Sequence, residues 1–387
     1  MATTNKEATV TAVPPPAPVE FDKAIDKGLE GVVACTTKIS SIQDATLTYR
    51  GYTIEDLAAK ASFEEVVFLL WNNRKPTAAE AEALRKDLVA HMKLDSRVVE
   101  LLKSLPLKGA VPMDVLRTAV SALALYDADV RDNSPEANMR KAVRLTGVMG
   151  AIVTAFERIR TGKPLVEPDM SKGIGYNFLY MLKGERPDEA LAKMFDTCLV
   201  LHADHELNCS AFSARVTSSS LSDLHSAITS AIGTLKGPLH GGANEQVMAM
   251  LLRIGTLENA KKFIDDALNA KAKVMGIGHR VYKNGDPRAK ILRKMSEALC
   301  TQTNQPHYYQ MSANIDDIMQ DKKGLMPNVD FYSATVYYCM GIPIDLYTPI
   351  FAVSRISGWI AHVLEQGENN RIYRPRGRYA GSLNLKW

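Results

Sequence analysis

No stretch of this chain approaches the roughly 18 consecutive apolar residues that a membrane-crossing helix needs. The best candidate, around Val148 to Phe156, is about half that length. Excess charge is missing too. The 47 Lys plus Arg against 43 Asp plus Glu leave +4, too small and too dispersed for a nucleic-acid footprint. The five cysteines (Cys35, Cys198, Cys209, Cys300, Cys339) are odd in number and contain no Cys-x-x-Cys pair. That argues against a zinc ribbon or a thioredoxin-type site and leaves buried free thiols in a reducing compartment. Lys6 and Glu7 are followed by no apolar segment of the kind a signal peptide needs, and the start is not arginine-rich, so the expected compartment is the cytoplasm. There is no Walker loop and no Gly-x-Ser-x-Gly elbow. The Gly173/Gly175 and Gly276/Gly278 pairs lack the third glycine and the preceding strand of a dinucleotide site. Nucleotide-driven chemistry and serine hydrolysis both recede.

What is present is a globular composition, 46% apolar and 23% charged over 387 residues, long enough for a core without metal or disulfide staples. Residues 1–20 hold Pro14, Pro15, Pro16 and Pro18 and read as an extended leader with nothing to pack. Beyond it the pattern is helical almost throughout. Capping-box spacings occur at Ser62/Glu65, Thr77/Glu80 and Ser220/Asp223. Pro112 opens a helix to about Tyr126, and Pro187 a longer one to about His205. Strand-like alternation is confined to Ala45–Tyr49 and to Ile372 and Tyr373. The fold class is all-α, mainly helical, with a small sheet at the termini.

Two glycine clusters break the helical pattern, each around a histidine. His240, in GPLHGG, precedes an amphipathic run, so it reads either as an imperfect cap or as a neutral imidazole facing the positive end of a helix. His279 lies in GIGHRVYKNGDPR. Together with Lys273 upstream, Arg280, Lys283 and Arg288 make four cations in sixteen residues, an arrangement suited to carboxylate or phosphate. His202 and His205 fall on the stripe of Leu191, Phe195 and Cys198. Their His-x-x-His-Glu order is not a metal motif, so a core histidine beside a ligand-binding one is expected, with no metal. Phe351, Arg355, Trp359 and His362 share one helix face, where an inward arginine is paired, snorkelling or awaiting an anion. Asp330 is either an N-cap or, if Asn328 caps instead, a free general base. A carboxylate base with neutral imidazoles is equipment for removing a proton next to a carbonyl.

GPLHGGANE, MGIGHRVYKNGDPRAK, PNVDFYSA and TPIFAVSRISGWIAHVLEQ, in this order after KGLEG and TYRGYTIEDLA, resemble the signature segments of the citrate synthases. The related 2-methylcitrate synthases carry the same set. The likeness runs from about Gly28 to Arg378. It implies an all-helical homodimer or a higher oligomer. The large domain would comprise residues 21–239 plus 337–387, and a small domain, 240–336, would close over the cleft. Acetyl-CoA and oxaloacetate would be condensed to citrate and coenzyme A, with propionyl-CoA as the alternative acyl donor and no tightly bound cofactor. A remote alternative is a non-catalytic binder of dicarboxylates or coenzyme A.

By the same resemblance His240 hydrogen-bonds the thioester oxygen, Asp330 removes the methyl proton and His279 polarises the oxaloacetate carbonyl. His205, Arg288 and Arg355 match oxaloacetate ligands, and Arg374, in RPRGRYAG, matches an arginine supplied across the dimer interface. Lys273, Val274, Met275, Gly276 and Ile277 match the loop at the coenzyme A adenine. Lys283 stands where some relatives have arginine. Candidates for the acyl-pocket wall are Phe331, Tyr332 and Tyr338. Forms inhibited by NADH resemble a longer chain with an added N-terminal domain, so NADH control is not expected.

Overall fold

The computed structural model describes residues 28–279, 281–282, 285–383 and 385–386, so the proline-rich leader lies outside the described residues. By its contacts the chain falls into two units. One is Thr37–Ile372; the other comprises the described parts of Met1–Thr36 and Tyr373–Trp387. In the terminal unit a turn at Leu29 is closed by the Val32 N–H on its carbonyl at 3.0 Å. No helix of the described residues is long and apolar enough to cross a membrane.

The larger unit opens with a small antiparallel sheet in the order β1 (Ser40–Gln43), β2 (Thr46–Tyr49), β3 (Tyr52–Thr53). Leu47 and Tyr49 point inward from β2, as the alternation predicts, and Ser40 pairs with Tyr49. Ile372 and Tyr373 belong to no strand. Two apolar positions cannot make a strand without a partner to accept the ladder hydrogen bonds.

Helices follow. The Thr53 hydroxyl caps α1 (Ile54–Lys60). Both α2 (Phe63–Asn72) and α3 (Ala78–Ala90) begin on complete capping boxes at Ser62/Glu65 and Thr77/Glu80. Next come α4 (Ser96–Ser104), α5 (Pro112–Leu123), α6 (Pro135–Arg160) and α7 (Ile174–Lys183). Asp188 rather than Pro187 starts α8 (Glu189–His202), because its carboxylate accepts from the Ala190 and Leu191 N–H groups. That helix ends at His202, three residues short of the expected His205. Ser220 terminates α9 (Cys209–Ser219), and Asp223 caps α10 (Leu224–Leu235) by itself. The predicted box there is therefore an end and a start, two separate signals.

The remaining elements are α11 (Ala243–Ile254), α12 (Leu257–Asn269), α13 (Pro287–Gln302), α14 (Pro306–Lys323), α15 (Val329–Cys339), a short 3-10 turn (Ile344–Leu346) and α16 (Tyr347–Glu368). α16 is buried on nearly every side and packs on α2, α6, α8, α9 and α10. α11 to α15 pack mainly on one another. They meet the rest where α13 touches α1 and α8 and where α11 touches α16.

Candidate active site

The turn after α8 carries His205, and its shape is set from three directions. The Tyr49 hydroxyl donates to the Asp204 carbonyl at 2.8 Å, and the Ser40 hydroxyl donates to the Asp204 carboxylate. From the other side the Gly358 N–H in α16 donates to the Ala203 carbonyl at 3.1 Å. A Cβ on Gly358 would lie 2.4 Å from the Asp204 carboxylate and 2.5 Å from the Ala203 carbonyl, so only glycine lets the helix come this close. The small sheet thus has a purpose that its sequence did not announce: it anchors the turn that presents His205.

His205 leaves the helical stripe that its spacing suggested and meets the loop after α12. Its ring lies edge-on to His279, with centroids 5.2 Å apart, and its Nε2 is 3.1 Å from the Tyr282 hydroxyl. Burial first, then Arg288 and Arg355, hold its imidazole well below the usual histidine range. His202 stays in the core. Its Nδ1 donates to the Cys198 carbonyl at 2.7 Å, and burial depresses it to about 3.

Two other histidines are fixed as opposite tautomers. At His279 the Nδ1 accepts from the Val281 N–H at 3.0 Å and the Tyr282 N–H at 3.2 Å. A nitrogen accepting from backbone amides carries no proton, so neutral His279 bears its hydrogen on Nε2. At His240 it is Nε2 that accepts, from the Ser210 N–H at 3.3 Å, with the Ser210 hydroxyl at 2.8 Å. His240 therefore bears its hydrogen on Nδ1. The Ser210 hydroxyl is itself placed by the Trp359 indole N–H, from which it accepts at 2.9 Å, and by the Asn208 side-chain oxygen Oδ1 at 2.8 Å. The helix N-terminus with its N–H on this imidazole is that of α9, whereas the sequence pointed to the helix following His240. Burial and then Arg355 lower His240 to about 4; burial and then Arg288 lower His279 to about 4. Both are neutral donors at pH 7.

Asp330 sits in the first turn of α15, and Asn328, not Asp330, is the cap, its side chain accepting from the Asp330 N–H at 3.0 Å. One carboxylate oxygen of Asp330 is buried with no hydrogen-bond partner among the described residues. Burial pushes this carboxyl up to about 7, against the pull of Arg288. Desolvation outweighs both the cation and the helix dipole.

Asp286, which sequence reading passed over, holds the arrangement together. It caps α13, grips Arg288 through Nε at 3.0 Å and Nη2 at 2.7 Å, and accepts from the Val329 N–H at 3.1 Å. One carboxylate thus ties Arg288 to the residue before Asp330. The available signal was Asp before a proline at the first helical position. Among the described residues the Arg288 Nη1 makes no hydrogen bond. Arg355 gives its Nε to the His202 carbonyl at 2.6 Å and lies over the Phe351 ring. No carboxylate among the described residues pairs with it. Burial, with Arg288 nearby, brings it down to about 10. Two buried guanidinium groups with incomplete compensation make a site for a dianion.

His240, His279 and Asp330 line one cavity of about 390 Å³, together with Lys273, Gly278 and Asn328. Of the loop Lys273–Ile277, Lys273 lines this cavity. Val274 is buried, Lys273 is exposed, and Ile277 bridges to Pro327. Gly276 has φ +74°, and a Cβ there would strike Val247 at 2.6 Å and Phe331 at 2.9 Å. The Asn328 amide donates to the Gly278 carbonyl at 2.9 Å, so the residue that caps α15 also closes this loop. Of the acyl-wall candidates Phe331 adjoins the loop, whereas Tyr332 donates to Asp316 and Tyr338 meets the Tyr308 ring edge-on. Arg374 lies exposed in the terminal unit, and Lys283 is outside the described residues. Among the described residues no group of three or more His, Cys, Asp or Glu is disposed to hold a metal.

Comparison with known proteins follows the same lines. The family described as citrate synthase, C-terminal domain, matches residues 28–376. Citrate synthase 2 of Bacillus subtilis is 54% identical over 93% of this chain and 97% of its own length. The citrate synthase of Haloferax volcanii is 53% identical over the same shares. A 2-methylcitrate synthase of Corynebacterium glutamicum is 41% identical, over 93% of this chain and 96% of that protein. Among solved structures, citrate synthase from Pyrobaculum aerophilum superposes with a TM-score of 0.89 at 38% identity, covering 98% of each chain. The Thermoplasma acidophilum citrate synthase, solved as a ternary complex with carboxymethyl coenzyme A and oxaloacetate, gives 0.88 at 32% identity, over 96% of this chain and 98% of that one. With its helical fold, its cavity of one carboxyl and two imidazoles and these likenesses in agreement, this chain belongs to the citrate synthase family.

Proposed function

We propose that the protein condenses acetyl-CoA with oxaloacetate and water to give citrate and coenzyme A. The observation that carries the reading is the meeting of one desolvated carboxylate, Asp330, with two neutral imidazole donors in a single cavity. The Asp330 carboxylate removes a proton from the thioester methyl group, and the His240 Nδ1–H donates to the thioester oxygen as it gains enolate character. The enol carbon attacks the ketone of oxaloacetate while the His279 Nε2–H donates to the ketone oxygen. Hydrolysis of the resulting thioester releases the thiol. Preorganised neutral donors of this kind stabilise charge only where it develops, which is the source of their catalytic effect.

Arg288, Arg355 and His205 hold the oxaloacetate carboxylates, with Arg374 of the partner subunit completing the set in a homodimer. The loop Lys273–Ile277 takes the coenzyme A, and residues 240–336 close on the rest of the chain when both substrates are bound. Supporting closure, most of the cavity lining comes from that stretch, with Pro238 and Leu239 just before it, while Arg355 and His205 come from the rest of the chain. A dianion shared by Arg288 and Arg355 draws the two groups together and keeps water from the thioester.

Thiol release measured with oxaloacetate and either acetyl-CoA or propionyl-CoA tests the reading. The expected result is a kcat/KM at least about tenfold higher for acetyl-CoA, within what one methylene can discriminate. Preference for propionyl-CoA would transfer the assignment to 2-methylcitrate synthesis with the residue roles intact. Oxaloacetate binding without thiol release from either donor would leave only a binding protein.

A further inference from the structure

Cys300 and Cys339 lie 39 positions apart in the chain, yet their sulfurs are 3.4 Å from each other. Cys300 is in the last turn of α13 and Cys339 is the final residue of α15. These are the two helices whose first turns carry Arg288 and Asp330 and are clasped there by Asp286. The pair is therefore fastened at one end by a carboxylate and meets at the other through two unbonded thiols.

We propose that Cys300 and Cys339 form a reversible redox-modification site, oxidised by a peroxide to a disulfide that ties α13 to α15. The geometry supplies the main argument. Sulfurs in van der Waals contact on two closely packed helices need little movement to bond. Burial selects the oxidant: Cys300 is 0% exposed and Cys339 7%, so a small peroxide reaches Cys339 where a bulky peptide disulfide does not. Cys339 is the attacking residue because it is the more exposed of the two. Either thiol can donate across the contact, which lowers Cys339 against the opposing effect of burial and raises Cys300. Two thiols in contact lose their first proton as a unit.

The steps balance. The Cys339 thiolate attacks one peroxide oxygen, the O–O bond breaks, and Cys339 becomes a sulfenic acid as the second oxygen leaves as water after taking up a proton. The Cys300 sulfur then attacks the sulfenic sulfur, the S–O bond breaks, and a second water leaves with the Cys300 proton. Two thiols are oxidised and one peroxide is reduced. A thiol reductant reverses the change.

The test treats the intact protein with graded hydrogen peroxide and maps its peptides without reduction. Cys209, exposed in the chain, reports whether oxidant has acted. The expected result is a peptide linked through Cys300 and Cys339 in most chains, removed by dithiothreitol. In Cys300→Ser, a dimedone-reactive sulfenic acid accumulates on Cys339; in Cys339→Ser, Cys300 stays unmodified at the same dose. Oxidation of Cys209 with no Cys300–Cys339 linkage would overturn the proposal. Dimedone labelling of Cys300 in Cys339→Ser, with none of Cys339 in Cys300→Ser, would overturn the assigned order of attack. Circular dichroism of both variants, expected to match the parent protein, separates loss of reactivity from loss of fold.

Discussion

The central residue-scale observation is that burial moves a carboxyl and two imidazoles in directions that suit one reaction. Asp330, pushed up to about 7, is a stronger base than an ordinary aspartate, while His240 and His279, pushed down to about 4, stay neutral. Below its pKa the Asp330 carboxyl is protonated and cannot accept the methyl proton. The kcat/KM profile should therefore rise with pH along one limb with a midpoint near 7, and show no histidine limb between pH 5 and 7. Steady-state rates from pH 5 to 9 check this, and a flat profile through pH 7 would contradict it. The candidate roles of His240, His279 and Asp330 were open to sequence reading because each sits in a short motif. Their tautomers were not, since these depend on Ser210 and on backbone amides that only folding brings to the rings.

At the scale of elements, what could be read early was local. The capping boxes at Ser62 and Thr77 involve residues three apart and formed as expected. Ser220 and Asp223 have equally good spacing, but a helix already ran into Ser220, and that prior helix decided its role. The α16 stripe of Phe351, Arg355, Trp359 and His362 was read correctly because one 22-residue helix carries all four. Contacts between elements were hidden, above all Asp286 bridging α13 and α15 and Gly358 admitting the His205 turn. Gly358→Ala tests the latter. Its Cβ has to displace a backbone carbonyl, so the expected cost is about 1–3 kcal/mol of stability, accompanied by a raised KM for oxaloacetate. Thermal melting and steady-state kinetics measure the two effects. An unchanged KM would show that the turn tolerates displacement.

For the whole molecule, the sequence identified a helical class and pointed to an enolising site, and its resemblance implied a domain plan and a dimer. The physical reason for such a plan is the placement of charge. Arg288 and Arg355 are both buried, on helices from different packing groups, and together they are undercompensated until a dianion arrives. An arginine from a second subunit would complete the neutralisation. Arg374→Ala and His279→Ala should each be inactive alone. After subunit exchange, one of the two sites in each hybrid dimer combines an intact His279 with the partner's intact Arg374. Thiol release should then return to about half the wild-type rate per hybrid, following from one working site of two. No recovery, with hybrid formation verified by native mass spectrometry, would rule out a shared site.

Everything in the proposed reaction depends on Asp330 taking the first proton, so the most direct measurement is the turnover of Asp330→Asn. Asparagine keeps the shape and the N-cap environment but cannot act as the base. With oxaloacetate binding followed in parallel by calorimetry, kcat should fall at least about 100-fold, in keeping with the loss of general-base catalysis, while oxaloacetate affinity changes little. A variant that binds oxaloacetate normally and releases thiol at the wild-type rate would contradict the account at its centre.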